Sequence, residues 1–251
     1  MASDSGTRAG PQRVVVIGLG YVGLPLAVAL ARHGPILGYD LDSARIAELR
    51  DGHDRTREVS RAMLEASALS VTDDPEECRG ADIYIVTVPT PVDAANRPDL
   101  GALLTASAAV GSWIDPATRP TVVFESTVYP GCTASDCGPA IEAAGGLRRG
   151  RDFRLGYSPE RINPGDKVHT VDKIVKVVAG EDAEVLDQLA ELYGAVTEAG
   201  VFRAASIRAA EAAKVIENAQ RDINIAFINE VTRIMFLMGI SVWDVLEAAN
   251  T

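Results

Sequence analysis

Short apolar runs without polar alternation recur along most of the chain, separated by stretches in which apolar residues return at helical spacing. Runs of that kind mark strands buried on both faces, and helices between them imply a largely parallel sheet covered on each side. Residues 13–17, Ile36–Tyr39, 83–88 and Thr121–Phe124 read as such strands, with residues 24–33, Ser43–Arg50 and 99–112 as helices between them. Ser43 and Asp99 suit helix N-caps, because each side chain can accept a bond from a first-turn amide. A weaker strand falls at Leu69–Thr72, followed by a short helix at 75–79; later come strands at 153–157, 174–179 and Val201–Arg203, with a helix at 182–193. From Ser206 to about Met238 no Gly or Pro intervenes, which predicts one long helix ended by Gly239 and a last short helix from Ser241. The pattern is that of an α/β, doubly wound parallel sheet of Rossmann type followed by a long connecting helix.

Composition narrows the partners. The 251 residues suffice for one large or two small domains, and 47% hydrophobic with 24% charged residues is ordinary for a globular protein. A net charge of -11 argues against nucleic acid, whose phosphates demand clustered Lys and Arg. Residues 14–31 carry no charge, but Gly18, Gly20, Gly23 and Pro25 would interrupt a membrane-spanning helix; a strand, a glycine turn and a small-residue helix explain the stretch better. The first dozen residues are small and polar, with no secretory signal, and read as a disordered tail. Cys78, Cys132 and Cys137 show neither zinc-ligand nor disulfide-framework spacing, which suits tolerated thiols in a reducing, cytoplasmic setting and no metal site.

The strongest chemical signal is Val16-Ile-Gly18-Leu-Gly20-Tyr-Val-Gly23-Leu-Pro25, a strand running through G-x-G-x-x-G into a helix. The first glycine permits the tight turn, the second lets a pyrophosphate approach the backbone, and the third allows close packing of helix on strand. The pyrophosphate would then meet the free amides of the helix N-terminus. Asp40 ends the next strand, about 20 residues on, where a carboxylate binds ribose hydroxyls and repels a 2′-phosphate, so NAD is expected over NADP.

Catalytic candidates are less decided by pattern. Lys214, Asn218 and Asp222 fall within a stripe about 80° wide on the long helix. Val215, Ala219, Ile223 and Ala226 form an apolar row beside it, read as a buried face. A lysine there could stabilise an oxyanion, although spacing alone favours a solvated face with i, i+4 pairs. The loops holding Pro89-Thr90-Pro91 and Glu125-Ser126-Thr127 follow strands, at the edge where open sheets bind ligands, yet Ser, Thr and Pro are common in any such turn. Tyr157-Ser-Pro159-Glu160-Arg161-Ile-Asn163-Pro164-Gly165 is a stiff loop whose Glu160 suits a general base, with a purely structural loop as the rival. His169 reads as an ordinary loop histidine.

Taken together, V-I-G-L-G-Y-V-G-L-P (16–25), Y-D-L-D-S-A-R-I (39–46), V-P-T-P-V (88–92), E-S-T-V-Y-P-G (125–131), S-P-E-R-I-N-P-G (158–165) and E-A-A-K-V-I-E-N-A-Q-R-D (211–222) resemble the UDP-glucose/GDP-mannose dehydrogenase family. The S-P-E-R-I-N-P-G-D-K wording is most similar to the branch acting on UDP-N-acetylhexosamines. The resemblance implies oxidation of a sugar C6 alcohol to a carboxylate in two hydride transfers to NAD, in the service of polysaccharide biosynthesis. It implies that Lys214 and Asn218 hold the C6 oxygen, and that Glu160, with Thr127 beside it, assists the water that hydrolyses a thioester. Gly18, Gly20, Tyr21, Val22, Gly23, Asp40, Arg45, Pro89, Thr90, Ser126 and Thr127 would contact NAD. Glu160, Arg161, Ile162, Lys214 and Asn218 would contact the UDP-sugar, and the long helix would join a homodimer.

The resemblance also implies a domain plan: residues 13–205 as the NAD-binding Rossmann domain, and 206–251 as a central helical region that stops short of the family's G-G-x-C segment and UDP-binding domain. None of the three cysteines matches that motif, and without its thiol the second oxidation lacks a covalent route. Two other readings stay open. One is a single-step NAD-dependent alcohol dehydrogenase, since β-hydroxyacid dehydrogenases also place Lys and Asn one turn apart on a helix. The other is an NAD-binding pseudoenzyme that serves as an oligomerisation partner.

Overall fold

The computed structural model describes residues 12–161 and 173–250. Eight strands form one sheet: β1 (Val14–Ile17), β2 (Ile36–Tyr39), β3 (Leu69–Thr72), β4 (Ile83–Val86), β5 (Thr121–Phe124), β6 (Arg154–Tyr157), β7 (Lys176–Gly180) and β8 (Val201–Arg203), in the order β3-β2-β1-β4-β5-β6-β7-β8. Every neighbouring pair is parallel except β6 with β7. The chain winds outward from β1 to β3, then returns to pair β4 against the other side of β1. At that reversal the loops after β1 and β4 leave the sheet in opposite directions and open a crevice beyond the strand ends.

Each central strand buries both faces. Val15, Ile17, Tyr84 and Val86 pack beneath α4 (Gly101–Trp113) and α5 (Gly138–Gly145), whereas Val14, Val16, Ile83 and Ile85 meet α1 (Gly23–Leu30), α2 (Ser43–Arg50) and α6 (Ala183–Gly194). That two-sided burial explains why these strands read as continuous apolar runs. Several boundaries differ from the pattern. Asp42, not Ser43, caps α2 by accepting from the Ala44 amide at 3.0 Å. Asp99 accepts from the Gly101 amide at 2.8 Å, one residue outside the Leu100 cap position of α4. A short helix α3 (Arg61–Ala66), capped by Ser60, had no apolar stripe to reveal it and buries no residue. The strand expected at 83–88 ends at Val86; the Thr87 amide still bonds the Ile17 carbonyl at the end of β1, and its hydroxyl reaches on to the Gly18 carbonyl. All three cysteines are buried and free. No described helix is long and apolar enough to cross a membrane, and residues 14–31 fold as strand, turn and helix.

The chain divides into two compact units at Glu211/Ala212. The helix α7 (Ile207–Leu237) begins in the first and provides most of the second. It ends at Gly239, whose φ of +69° suits a residue without Cβ, and α8 (Val242–Ala249) follows under a Ser241 cap. The apolar row expected to be buried on α7 is not: Val215, Ala219, Ile223 and Ala226 are exposed, as are Phe227, Phe236 and Trp243 further along. Helical spacing identified an apolar face but could not say whether it is covered.

The α4–α5 contact depends on absent side chains. A Cβ on Gly111 would lie 2.5 Å from the Ile141 carbonyl oxygen, which is backbone and cannot swing aside. Gly111→Ala is therefore expected to destabilise the first unit by about 1–3 kcal/mol, as overpacking does. Thermal unfolding should show a lowered midpoint, and an unchanged midpoint would refute the close-packing argument.

Candidate active site

The turn after β1 is built around three glycines with different tasks. Gly18 sits at φ +90°, a conformation that favours glycine, and its amide donates to the Tyr39 carbonyl at 2.8 Å. At Gly23 a Cβ would overlap the Gly18 carbonyl oxygen and the Thr87 hydroxyl, so helix and turn touch there. At Gly20 a Cβ would meet nothing within 4 Å. The residue is spared a side chain where the space opens outward. No side chain caps the first turn of α1 and no acidic residue lies in it, which leaves the helix end to an anion from outside.

Asp40 closes the turn from the end of β2. Its Oδ2 accepts from the Leu19 amide at 2.8 Å and its Oδ1 from the Asp42 amide at 3.0 Å, leaving carboxylate lone pairs for further donors. Arg45 is buried: its Nε donates to the Leu19 carbonyl at 2.9 Å and a terminal nitrogen to Asp54 Oδ1 at 2.6 Å. It braces the turn from behind. Burial works to raise the Asp54 pKa, but amide bonds from Val59 and Thr56, the Thr56 hydroxyl and Arg45 outweigh it and hold the carboxyl below its ordinary value. The Thr87 hydroxyl lies against the turn from β4, within 2.9 Å of the Ile17 carbonyl and 2.7 Å of the Gly18 carbonyl. Tyr21 stands exposed beside the turn and Val22 is half-buried. Room at Gly20, an uncapped helix end and an acid at the β2 terminus fit NAD.

The loops after β4 and β5 are stitched into one lip. The Ser126 hydroxyl donates to the Val88 carbonyl at 2.5 Å, and the Thr90 hydroxyl to the Thr127 carbonyl at 2.7 Å. Pro89 and Thr127 are exposed on it. The β5–β6 register then continues past the strands, with the Ser158 amide bonding the Phe124 carbonyl at 3.0 Å. Glu125 and Glu160 thus emerge at the same edge of the sheet.

Behind that edge lies a buried ionic group that the pattern of the chain did not reveal. Lys176 Nζ is 2.8 Å from Glu125 Oε2 and 3.4 Å from Glu160 Oε2, and the Tyr193 hydroxyl donates to the other Glu125 oxygen. Burial pushes the Glu125 pKa up against the opposing pull of Lys176. Burial alone would lower that of Lys176, but the Glu125 and Glu160 charges hold it above its ordinary value, so the ammonium stays charged. The Arg161 amide donates to Glu160 Oε1 at 2.7 Å. Ile162, Asn163, Pro164, Gly165 and His169 lie outside the described residues.

A second carboxylate missed by sequence reasoning is Glu211. Fully buried at the first turn of α7, it accepts from the amides of Gly131 and, at 2.9 Å, Thr133. The loop after β5 is thereby pinned. Lys214 and Asn218 follow on α7 within the second unit, one turn apart and hence on one face. A charge standing in an apolar strand, as in Ile174-Val-Lys176-Val-Val, was the available clue to Lys176. Thr87, Tyr193 and Glu211 carried no comparable signal.

An open α/β sheet with a glycine turn of this kind at its reversal defines a dinucleotide-binding class of fold. Residues 12–197 match the NAD binding domain of the UDP-glucose/GDP-mannose dehydrogenase family and residues 208–251 match its central domain, so the chain belongs to that family. It is 50% identical over 240 residues to the UDP-N-acetyl-D-glucosamine 6-dehydrogenase of Pseudomonas aeruginosa, covering 95% of this chain and 56% of that protein. Protein CapL of Staphylococcus aureus is likewise 50% identical over 240 residues, with 96% and 56% covered. The solved UDP-D-ManNAc dehydrogenase from Pyrococcus horikoshii superposes with a TM-score of 0.84 at 33% identity, covering 95% of this chain and 57% of that one. The chain thus spans a little over half the length of these relatives.

Two outcomes follow from the turn. Gly20→Ala should unfold at the native temperature yet weaken NAD binding about tenfold, whereas Gly23→Ala should lose both stability and binding; calorimetric titration with NAD beside a thermal melt checks the pair. Asp54→Asn should be less stable than the native chain at neutral pH. Because the folded Asp54 pKa is depressed, its contribution is present above the unfolded carboxylate pKa of about 3.9 and fades as pH falls through the folded value. The gap between variant and native chain should therefore narrow on acidification, and a gap that stays constant to low pH would remove Asp54 as its source.

Proposed function

We propose that this chain forms the NAD-binding and central part of a UDP-N-acetylhexosamine 6-dehydrogenase that works as a homodimer in the cytoplasm. The observation that carries the reading is an NAD-fitting turn that follows β1, supported by a carboxylate, Glu160, that follows β6 at the same edge of the sheet and by Lys214 and Asn218 one turn apart on the following helix. NAD when bound supplies the hydride acceptor. Gly18, Gly20 and Gly23 would admit its diphosphate, Asp40 would hold the adenosine ribose, and Pro89, Thr90, Ser126 and Thr127 would hold the remainder. Tyr21, Val22 and Arg45 complete the cofactor's surroundings in this reading.

On the substrate side, Lys214 and Asn218 donate hydrogen bonds to the sugar C6 oxygen, which carries negative charge once its hydroxyl proton has passed to solvent water and before the hydride leaves for NAD. Glu160 accepts a proton from the attacking water, with Thr127 beside it, and Arg161 and Ile162 line the sugar. The described thiols are poorly suited to covalent catalysis. All three are buried; burial pushes Cys78 up to about 12, and Cys137 is raised by a hydrogen bond with the Cys132 thiol and then by burial. A nucleophile for the second oxidation must therefore come from elsewhere in the working enzyme. The exposed apolar residues of α7 and α8 support the homodimer, since a second copy would cover them.

Turnover of UDP-N-acetylglucosamine, UDP-N-acetylmannosamine and UDP-glucose with NAD, followed as NADH formed per sugar, tests the proposal in the protein that carries this chain. Lys214→Ala should lower kcat about 100-fold or more, consistent with loss of an oxyanion donor. NAD binding without turnover, or full activity in Lys214→Ala, would overturn it. One NADH per sugar with an acidic product absent would favour a single-step alcohol dehydrogenase.

A further inference from the structure

The peptide between Gly18 and Leu19 is held at both ends by side chains from neighbouring strands. Its carbonyl accepts from the Thr87 hydroxyl at 2.7 Å, and its amide donates to Asp40 Oδ2 at 2.8 Å. Thr87 follows β4 and Asp40 follows β2, the two strands that flank β1, so one peptide of the turn links both sides of the sheet's reversal. Asp40 belongs to the cofactor reading already given, whereas Thr87 has no part in it.

A hydroxyl has one proton to give, and two carbonyls lie within its reach. That of Ile17, at 2.9 Å, already accepts the Thr87 amide; that of Gly18 is nearer, at 2.7 Å, and takes the proton. Thr87 is buried, and a Cβ on Gly23 would overlap both the Gly18 carbonyl oxygen and the Thr87 hydroxyl, which puts all three groups in contact. A bond so enclosed is not readily exchanged for one to water, and removing its donor costs the desolvation of the carbonyl left behind.

The grip matters because of the residue at its start. Gly18 sits at φ +90° and has no Cβ, so the peptide after it can rotate at low steric cost. Turned over, that peptide would set its carbonyl oxygen against the Asp40 carboxylate and withdraw the Leu19 amide from it. Oxygens without a proton between them repel, and the acid would be driven from the place where its other oxygen accepts the Asp42 amide at 3.0 Å. In the observed orientation the hydroxyl fixes the carbonyl and the amide fixes the acid.

We propose that Thr87 is a positioning residue for Asp40, acting through the Gly18–Leu19 peptide to hold the carboxylate ready for the ribose hydroxyls of NAD. The role rests on the reading of this turn as the NAD site, and it is tested on the full chain with two variants. Thr87→Ser and Thr87→Ala both lack the γ-methyl, so they differ only in the hydroxyl. In calorimetric titration Thr87→Ala should bind NAD about tenfold more weakly than native, and Thr87→Ser should stay within about threefold of it. In an Asp40→Ala background the same Thr87→Ala change should cost less than about twofold, because the group it acts through is gone. Without NAD, hydrogen exchange of the Leu19 amide, followed by NMR, should quicken about tenfold in Thr87→Ala and return towards native in Thr87→Ser, while amides within β1 and β4 keep their rates.

A threonine that only fills space would give additive losses and no rescue by serine. Equal NAD affinities for the serine and alanine variants, an undiminished cost in the Asp40→Ala background, or native Leu19 exchange in Thr87→Ala overturns the proposal. Should Thr87→Ala fail to fold, Thr87→Val restores the lost volume without the hydroxyl, and native affinity with native Leu19 exchange there overturns it equally. A native chain that gives no heat with NAD would sink the cofactor reading, and the Leu19 exchange, measured without NAD, separates that failure from failure of the Thr87 bond.

Discussion

The fold is organised by the approach of the Thr87 hydroxyl to the carbonyls of Ile17 and Gly18. That contact holds the strand ends on either side of the sheet's reversal at a fixed separation, and Gly23 must lack a Cβ for it to exist. A glycine turn in isolation would lose much backbone entropy on ordering. Here it is held from three sides, by Thr87 from β4, by Asp40 from β2 and by Arg45 from α2. Amides of a helix end bind an anion well only when they need not reorganise to do so, and this bracing keeps them in place before any ligand arrives.

The same logic governs the neighbouring lip. Side-chain hydroxyls of Ser126 and Thr90 satisfy carbonyls across the gap between two loops that would otherwise move independently. Glu211 adds a carboxylate at the amides of Gly131 and Thr133, so the loop after β5 is anchored at both ends. Residues that look like interchangeable turn formers in sequence are therefore held by bonds of specific direction. Arg45 is one such case: its Nε and one terminal nitrogen bond Leu19 and Asp54, so the side chain braces the turn from behind.

Much of the architecture was legible because buried parallel strands leave continuous apolar runs, and Ile36–Tyr39, Leu69–Thr72, Thr121–Phe124 and Val201–Arg203 end where pattern placed them. The glycine turn and Asp40 were legible because each has a physical task fixed by position. Short α3 was not, since it buries nothing and so leaves no periodic trace. The exposure of the α7 apolar face was not legible either, for periodicity reports which residues share a face and not what covers it. Lys176 escaped because its partners stand 51 and 16 residues away, joined only by the β5, β6 and β7 pairings.

That separation carries a consequence for how the site is built. A carboxylate on a loop alone would be free to rotate, and its position would vary with every fluctuation of the chain. Tying Glu160 to an ammonium on β7, itself tied to Glu125 and through it to Tyr193 on α6, transfers the rigidity of the sheet to a residue that lies beyond it. The cost is a desolvated cation in the core, offset by two carboxylates of which the deeper one is fully engaged. The arrangement is asymmetric in depth as well as in distance: the ammonium lies 2.8 Å from the fully enclosed Glu125 and 3.4 Å from Glu160, which stands nearer solvent, so the buried acid carries most of the task of holding the cation in the core.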